Sequence, residues 1–127
     1  METTPISARD AHDLKSGYAQ AVEVRGAERL LFVSGQIPIR PDGTTPESFE
    51  EQARVAWANV EAQLRAAGMG MADVVKHTTF LSDRRYRAQN SAIRKEVFGD
   101  LAPALTVIVA GIFDEGWLLE IEAIAAK

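Results

Sequence analysis

The 127-residue sequence predicts an α+β domain, a mixed sheet with two helices on one face. Three observations predict it. Two segments repeat apolar residues at three- and four-residue steps, as amphipathic helices do. Five short β-branched or alternating segments surround them in the order β-β-α-β-α-β-β. The strand at 103–110 is apolar on both faces, with Val107 and Val109 on one side and Ile108 and Ala110 on the other. Two helices cover only one sheet face, so the second face calls for a homo-oligomer.

Each element has its own signal. Residues 19–24 alternate apolar and polar, residues 25–28 (RGAE) form a turn, and 30–33 is a short buried strand ending at Ser34-Gly35. These two strands suit an antiparallel hairpin. The segment IPIRPDGTTP holds three prolines and a glycine and reads as loop. Thr45 is a candidate helix cap and Pro46 a candidate first helical residue. Phe49, Ala53, Ala56, Trp57, Val60, Leu64 and Ala67 then mark one apolar face, and Gly68 stops the helix. Glu50 with Arg54 and Glu61 with Arg65 are i,i+4 pairs on the wet side. Residues 73–81 (DVVKHTTFL) are β-branched and read as a strand. Ser82 or Asp83 caps a second helix running to Phe98, with Gly99 ending it. Its stripe is Tyr86, Asn90, Ile93 and Val97, which turns Asn90 inward. Residues 103–110 and 117–125 supply the remaining strands.

The whole chain, 1–127, reads as one domain, with 1–16 as an N-terminal extension. There is no cysteine, which excludes disulfides, thiolate metal sites and a cysteine nucleophile. The start METTPISARD lacks the basic-then-apolar pattern of a signal peptide, and no apolar run reaches membrane-spanning length. A cytoplasmic location and no membrane partner are the expectation. The net charge of −4 repels a phosphate backbone, so no nucleic-acid partner is expected.

Candidate chemistry is sparse. His12 lies in a polar segment and His77 in a strand, without the histidine or carboxylate companions that a metal site needs. No metal is therefore expected. Glu120 and Glu122 are more informative, because they interrupt an apolar run, LLEIEAIA, and share one strand face. One reading makes them solvated carboxylates on a sheet edge. The other makes Glu120 a carboxylate on a cleft floor, holding a water. Asn90 either satisfies buried backbone groups or shapes a site. Tyr18 either packs or contacts a ligand.

The segments Tyr18-Ala19-Gln20-Ala21-Val22, LLFVSGQIP ending at Pro38, Gln52 with Asn59, AAGMGMADVVKHTTFLSD, Asn90, Ala102-Pro103-Ala104 and Glu120-Ile121-Glu122-Ala123 occur in this order. Together they resemble the reactive-intermediate deaminase family (Rid, or YjgF, also called endoribonuclease L-PSP) over about residues 18–125. The resemblance implies a chorismate-mutase-like fold assembled as a homotrimeric barrel, with ligand sites between subunits. It implies hydrolysis of 2-imino or enamine acids to 2-keto acids and ammonia, with no cofactor. It places a site at Tyr18, Gly35, Asn90, positions 105 and 107, and Glu120, where Glu120 orients or activates the attacking water.

One departure bears on the substrate. Deaminating members carry arginine after Pro-Ala, where it grips a substrate carboxylate. This chain has Leu105, and Val107 stands where some members have cysteine. Leucine offers no charge-assisted hydrogen bond. The usual short 2-imino acids are therefore not the expected substrates, unless Arg25, Arg40, Arg84 or Arg85 replaces the missing cation. The expected activity is deamination of another small imine or enamine. The alternative is a non-catalytic trimer that binds a small metabolite or acts as a chaperone-like partner. Ribonuclease activity fits least.

Overall fold

A computed structural model describes residues 1–12 and 18–127. Six strands and two helices follow in chain order: β1 (Glu2–Ile6), β2 (Ala21–Arg25), β3 (Leu30–Gln36), α1 (Phe49–Ala66), β4 (Val74–Leu81), α2 (Arg87–Phe98), β5 (Ala104–Val109) and β6 (Leu119–Ala126). The main sheet has the order β3-β6-β4-β5. β6 runs antiparallel to both β3 and β4, whereas β4 and β5 are parallel and joined through α2. The expected mixed sheet is present.

α1 begins later than expected. Ser48, not Thr45, is the cap, and its hydroxyl accepts from the Glu51 N–H at 3.2 Å. Gln52 explains the shift. It is 1% exposed, and its amide donates to the carbonyls of Pro46 and Gly116 (both 2.9 Å) and accepts from the Leu118 N–H at 2.8 Å. Pro46 therefore belongs to a loop stitched to the start of β6. Asn59 similarly donates to the carbonyls of Ile37 and Ile39. Arg54 pairs with Glu96 of α2 at 3.0 Å rather than with Glu50, tying the two helices together, while the Arg65–Glu61 pair forms at 3.5 Å. Asp83 caps a 3-10 turn (Arg84–Tyr86) that leads into α2, and Gly99 ends α2 at φ +57°.

Between helices and sheet lies one core, containing Phe49, Ala53, Trp57, Val60 and Leu64 of α1 with Leu119, Ile121 and Ala123 of β6. Trp57 meets both His77 and Phe98 edge-on at 5.1 Å, and His77 stacks on Phe98 at 5.0 Å.

The N-terminal region departs from expectation. β2 does not form a hairpin with β3. It pairs antiparallel with β1, from Glu2 opposite Arg25 to Ile6 opposite Ala21. The expected extension 1–16 therefore contains a strand; its residues 13–16 lie outside the described residues. The turn into β3 bonds elsewhere, because the N–H groups of Glu28 and Arg29 donate to the Lys127 carbonyl and so steer β3 onto β6. An isolated parallel bridge from Ala19 to Ala104 holds the start of this region against β5.

The sheet face away from the helices carries Phe32, Ile124, Glu122, Glu120, Thr78, Phe80, Thr106 and Ile108, as register and alternation require. Phe32 is 68% exposed and Ile108 44% exposed. The second face is thus uncovered in the single chain, with apolar residues interleaved among Thr78, Thr106, Glu120 and Glu122.

Candidate functional site

The six sequence-derived site residues fall into two groups. Glu120 and Gly35 form the first. Glu120 sits opposite Phe80 on the open face of the sheet. β3 bulges between Val33 and Gln36, where its three-residue step faces the two-residue step from Ala123 to Ile121. The bulge turns Gly35 toward Glu120. A β-carbon at Gly35 would collide with the Glu120 carboxylate, at 2.9 Å from its Cδ. Glu120 is half-buried, unlike the exposed Glu122. It is not a fully solvated edge carboxylate.

Tyr18, Asn90, Leu105 and Val107 form the second group. They line one cleft of about 610 Å³ between α2 and β5. The Ala19–Ala104 bridge brings Tyr18 there, and parallel pairing sets Leu105 beside His77. Asn90 is 4% exposed and lines this cleft from α2. A second cavity of about 330 Å³ shares Tyr18, Arg94 and Leu105 and adds His77 and Phe98 to its wall.

Leu105 and Val107 point to the helix side of the sheet, along with His77 and Thr79, whereas Glu120 points to the other side. One chain therefore does not bring Glu120 to Leu105.

Three arginines, Arg84, Arg87 and Arg94, also line the cleft. Of the four cations weighed from the sequence, only Arg84 is there. Arg25 pairs with Glu23, Arg40 with Glu51, and Arg85 donates to the Tyr86 hydroxyl. Arg87 and Arg94 escaped the sequence reading, although they flank Asn90 at helical spacing, which was the available signal. Arg94 lies over the Tyr18 ring at 5.8 Å and donates to Ser91 Oγ at 3.4 Å. Burial pulls its pKa below the usual guanidinium value, with Tyr18 opposing.

His77 is 1% exposed, and both ring nitrogens lack a partner among the described residues. Burial, reinforced by the charges of Arg94 and Lys76, pushes its pKa down to about 3, so the ring is neutral at physiological pH. His12 is exposed. Among the described residues no group of three or more His, Asp or Glu side chains is arranged to hold a metal ion. No described helix is long and apolar enough to cross a membrane.

Residues 9–127 match the sequence profile of the endoribonuclease L-PSP family. The chain belongs to the Rid (endoribonuclease L-PSP) family. It is 36% identical over 112 residues to RutC family protein PH0854 of Pyrococcus horikoshii, covering 87% of this chain and 86% of that protein. The structure of the Rid family protein YyfB from Yersinia pestis superposes with a TM-score of 0.86 over the full length of both chains, at 26% identity. TdcF of Escherichia coli, solved with bound serine, superposes with a TM-score of 0.74 at 31% identity, covering 98% of each chain. The Rid-type fold expected from the sequence is therefore correct. The words "reactive intermediate deaminase" form part of the TdcF name.

Proposed function

We propose that this protein hydrolyses a small imine or enamine and releases ammonia, using Glu120 to position and deprotonate water. The observation that carries this reading is the fit of Gly35 to Glu120. A half-buried carboxylate on the open sheet face is given room by the one residue type that lacks a β-carbon. Water's oxygen bonds to the imine carbon as one of its protons passes to Glu120. Glu120 passes that proton to the nitrogen, giving a carbinolamine; the C–N bond then breaks as the remaining hydroxyl proton is taken by the carboxylate and delivered to the nitrogen, so ammonia leaves and a carbonyl remains. An enamine reaches the same path after tautomerising to its imine. A carboxylate within hydrogen-bond reach is suited to this work, and no cofactor is required.

The site is completed between copies, in a homotrimer whose subunits cover one another's open faces. Exposed Phe32 and Ile108 on that face support the assembly, as does the separation of Glu120 from Leu105 within one chain. Action in the cytoplasm on a small metabolite, without nucleic acid, fits the acidic composition. The test is ammonia release from a panel of freshly generated imines, wild type against Glu120→Gln, alongside light scattering. The expected result is a trimer and a loss of about 10²-fold or more in the variant. A stable monomer, or equal activity in both proteins, overturns the reading. The absence of arginine at position 105 favours one second reading, a trimer that binds a metabolite without turning it over. Ligand binding without ammonia release would select it.

A further inference from the structure

We propose that Arg94, supported by Arg84 and Arg87, is the anion-holding group of the cleft, so that the ligand carries a carboxylate gripped from α2 rather than from position 105. The binding claim stands by itself; only the chemistry that follows binding rests on the deaminase reading.

Charge is the first observation. The chain carries a net −4, yet the cleft wall contains three arginines and, among the described residues, no aspartate or glutamate. A concave wall of one sign concentrates ions of the other. Elsewhere, Arg25, Arg40, Arg54 and Arg65 each have a carboxylate within 4 Å. Among the described residues the cleft arginines have none; Arg94 touches only the Ser91 hydroxyl and the Tyr18 ring. A half-buried guanidinium without a counter-ion has lost hydration and gained no charge partner. A carboxylate entering the cleft supplies that partner through two parallel hydrogen bonds.

Asn90 is the second, independent observation. The residue is nine-tenths buried or more and lines the cleft. Arg87, Asn90 and Arg94 follow at i, i+3 and i+7, so one face of α2 presents a cation, an amide and a second cation. Across from them, Leu81, Leu105, Val107 and Val109 form an apolar wall. The ligand that matches is a small organic acid with its charge toward α2 and an apolar body against β5. Leu105 then belongs to the subsite for that body, and its lack of charge is a feature of the design.

The test uses 2-oxohexanoate, a stable keto acid with an apolar tail, and its uncharged methyl ester. Binding is measured by calorimetry to the wild type, Arg94→Gln, Arg94→Lys and the surface double variant Arg84→Gln/Arg87→Gln, each checked for trimer and helix content. The expected result is that wild type prefers the acid by about tenfold or more. Arg94→Gln should abolish that preference, Arg94→Lys restore part of it, and the double variant reduce it. Equal binding of acid and ester by the wild type overturns the proposal, as does a preference that survives all three variants. If Arg94→Gln fails to fold, the lysine and double variants decide the matter. Acid preference through Arg94 without ammonia release from any imine would refute the deaminase reading and leave this one standing.

Discussion

The carboxylate of Glu120 occupies the space that a side chain at Gly35 would need. Gly35 is not in the left-handed region, so alanine is compatible with its backbone, and the obstacle is steric. The obstructing atoms are the end of a flexible side chain, which can swing away. Gly35→Ala should therefore keep the fold and its melting temperature within a few degrees while turning Glu120 out of position. Ammonia release should fall by about tenfold or more. Thermal melts and turnover measured on the same preparation check this; a large loss of stability with turnover unchanged would show that Gly35 serves the bulge instead.

His77 makes stability depend on acid. Its folded pKa of about 3 lies below the ordinary value of 6.5, so the unfolded chain binds a proton that the folded chain refuses. The contribution is complete above about pH 6.5 and is lost as pH falls toward 3. The slope is at most about 1.4 kcal/mol per pH unit. His77→Phe keeps an aromatic ring between Trp57 and Phe98 and removes two unpartnered nitrogens. Urea unfolding at pH 7.5 and pH 4.5 should show the variant losing roughly 2–3 kcal/mol less than wild type across that interval. Identical losses would mean that His77 is protonated in the folded state or already shielded in the unfolded one.

Gln52 is a structural staple. Truncating it to alanine strands the Pro46 and Gly116 carbonyls and the Leu118 N–H. The cost should be roughly 2–4 kcal/mol, read as a shift in the denaturation midpoint. A shift under about 0.5 kcal/mol would mean that water replaces the amide without penalty.

Leu105→Arg should open the cleft to shorter acids. The new guanidinium would meet a carboxylate directly attached to the imine carbon, and ammonia release from 2-iminopropanoate should rise by about tenfold or more. High activity of the wild type on that compound, with no gain in the variant, would mean that Arg94 already serves short acids.

Much of this was legible in the sequence because the periodic signals are local. The α1 face, the inward Asn90 and the last three strands follow from spacing alone, whereas the expected cap of α2 falls on a 3-10 turn: Asp83 caps Arg84–Tyr86, and α2 itself starts only at Arg87. β1 was not legible, since ETTPI carries no alternation and its Pro5 argues against a strand. The failed hairpin has a similar cause. Partner choice depends on the Lys127 carbonyl, a hundred residues away from the turn that it captures. Arg94 was hidden for another reason. Surface arginines are common on helices, and only the Ala19–Ala104 bridge, which sets Tyr18 against it, distinguishes this one.

The strand order β3-β6-β4-β5 also bears on biosynthesis. β6 is translated after every strand that it joins, and it separates β3 from β4. While a ribosome is still making residues 82–118, β3 and β4 both have a missing neighbour and α1 lacks the β6 residues of its core, Leu119, Ile121 and Ala123. Helices and the parallel β4–β5 pair can form early, but closure awaits the last strand. Pairings of such long sequence separation fold slowly.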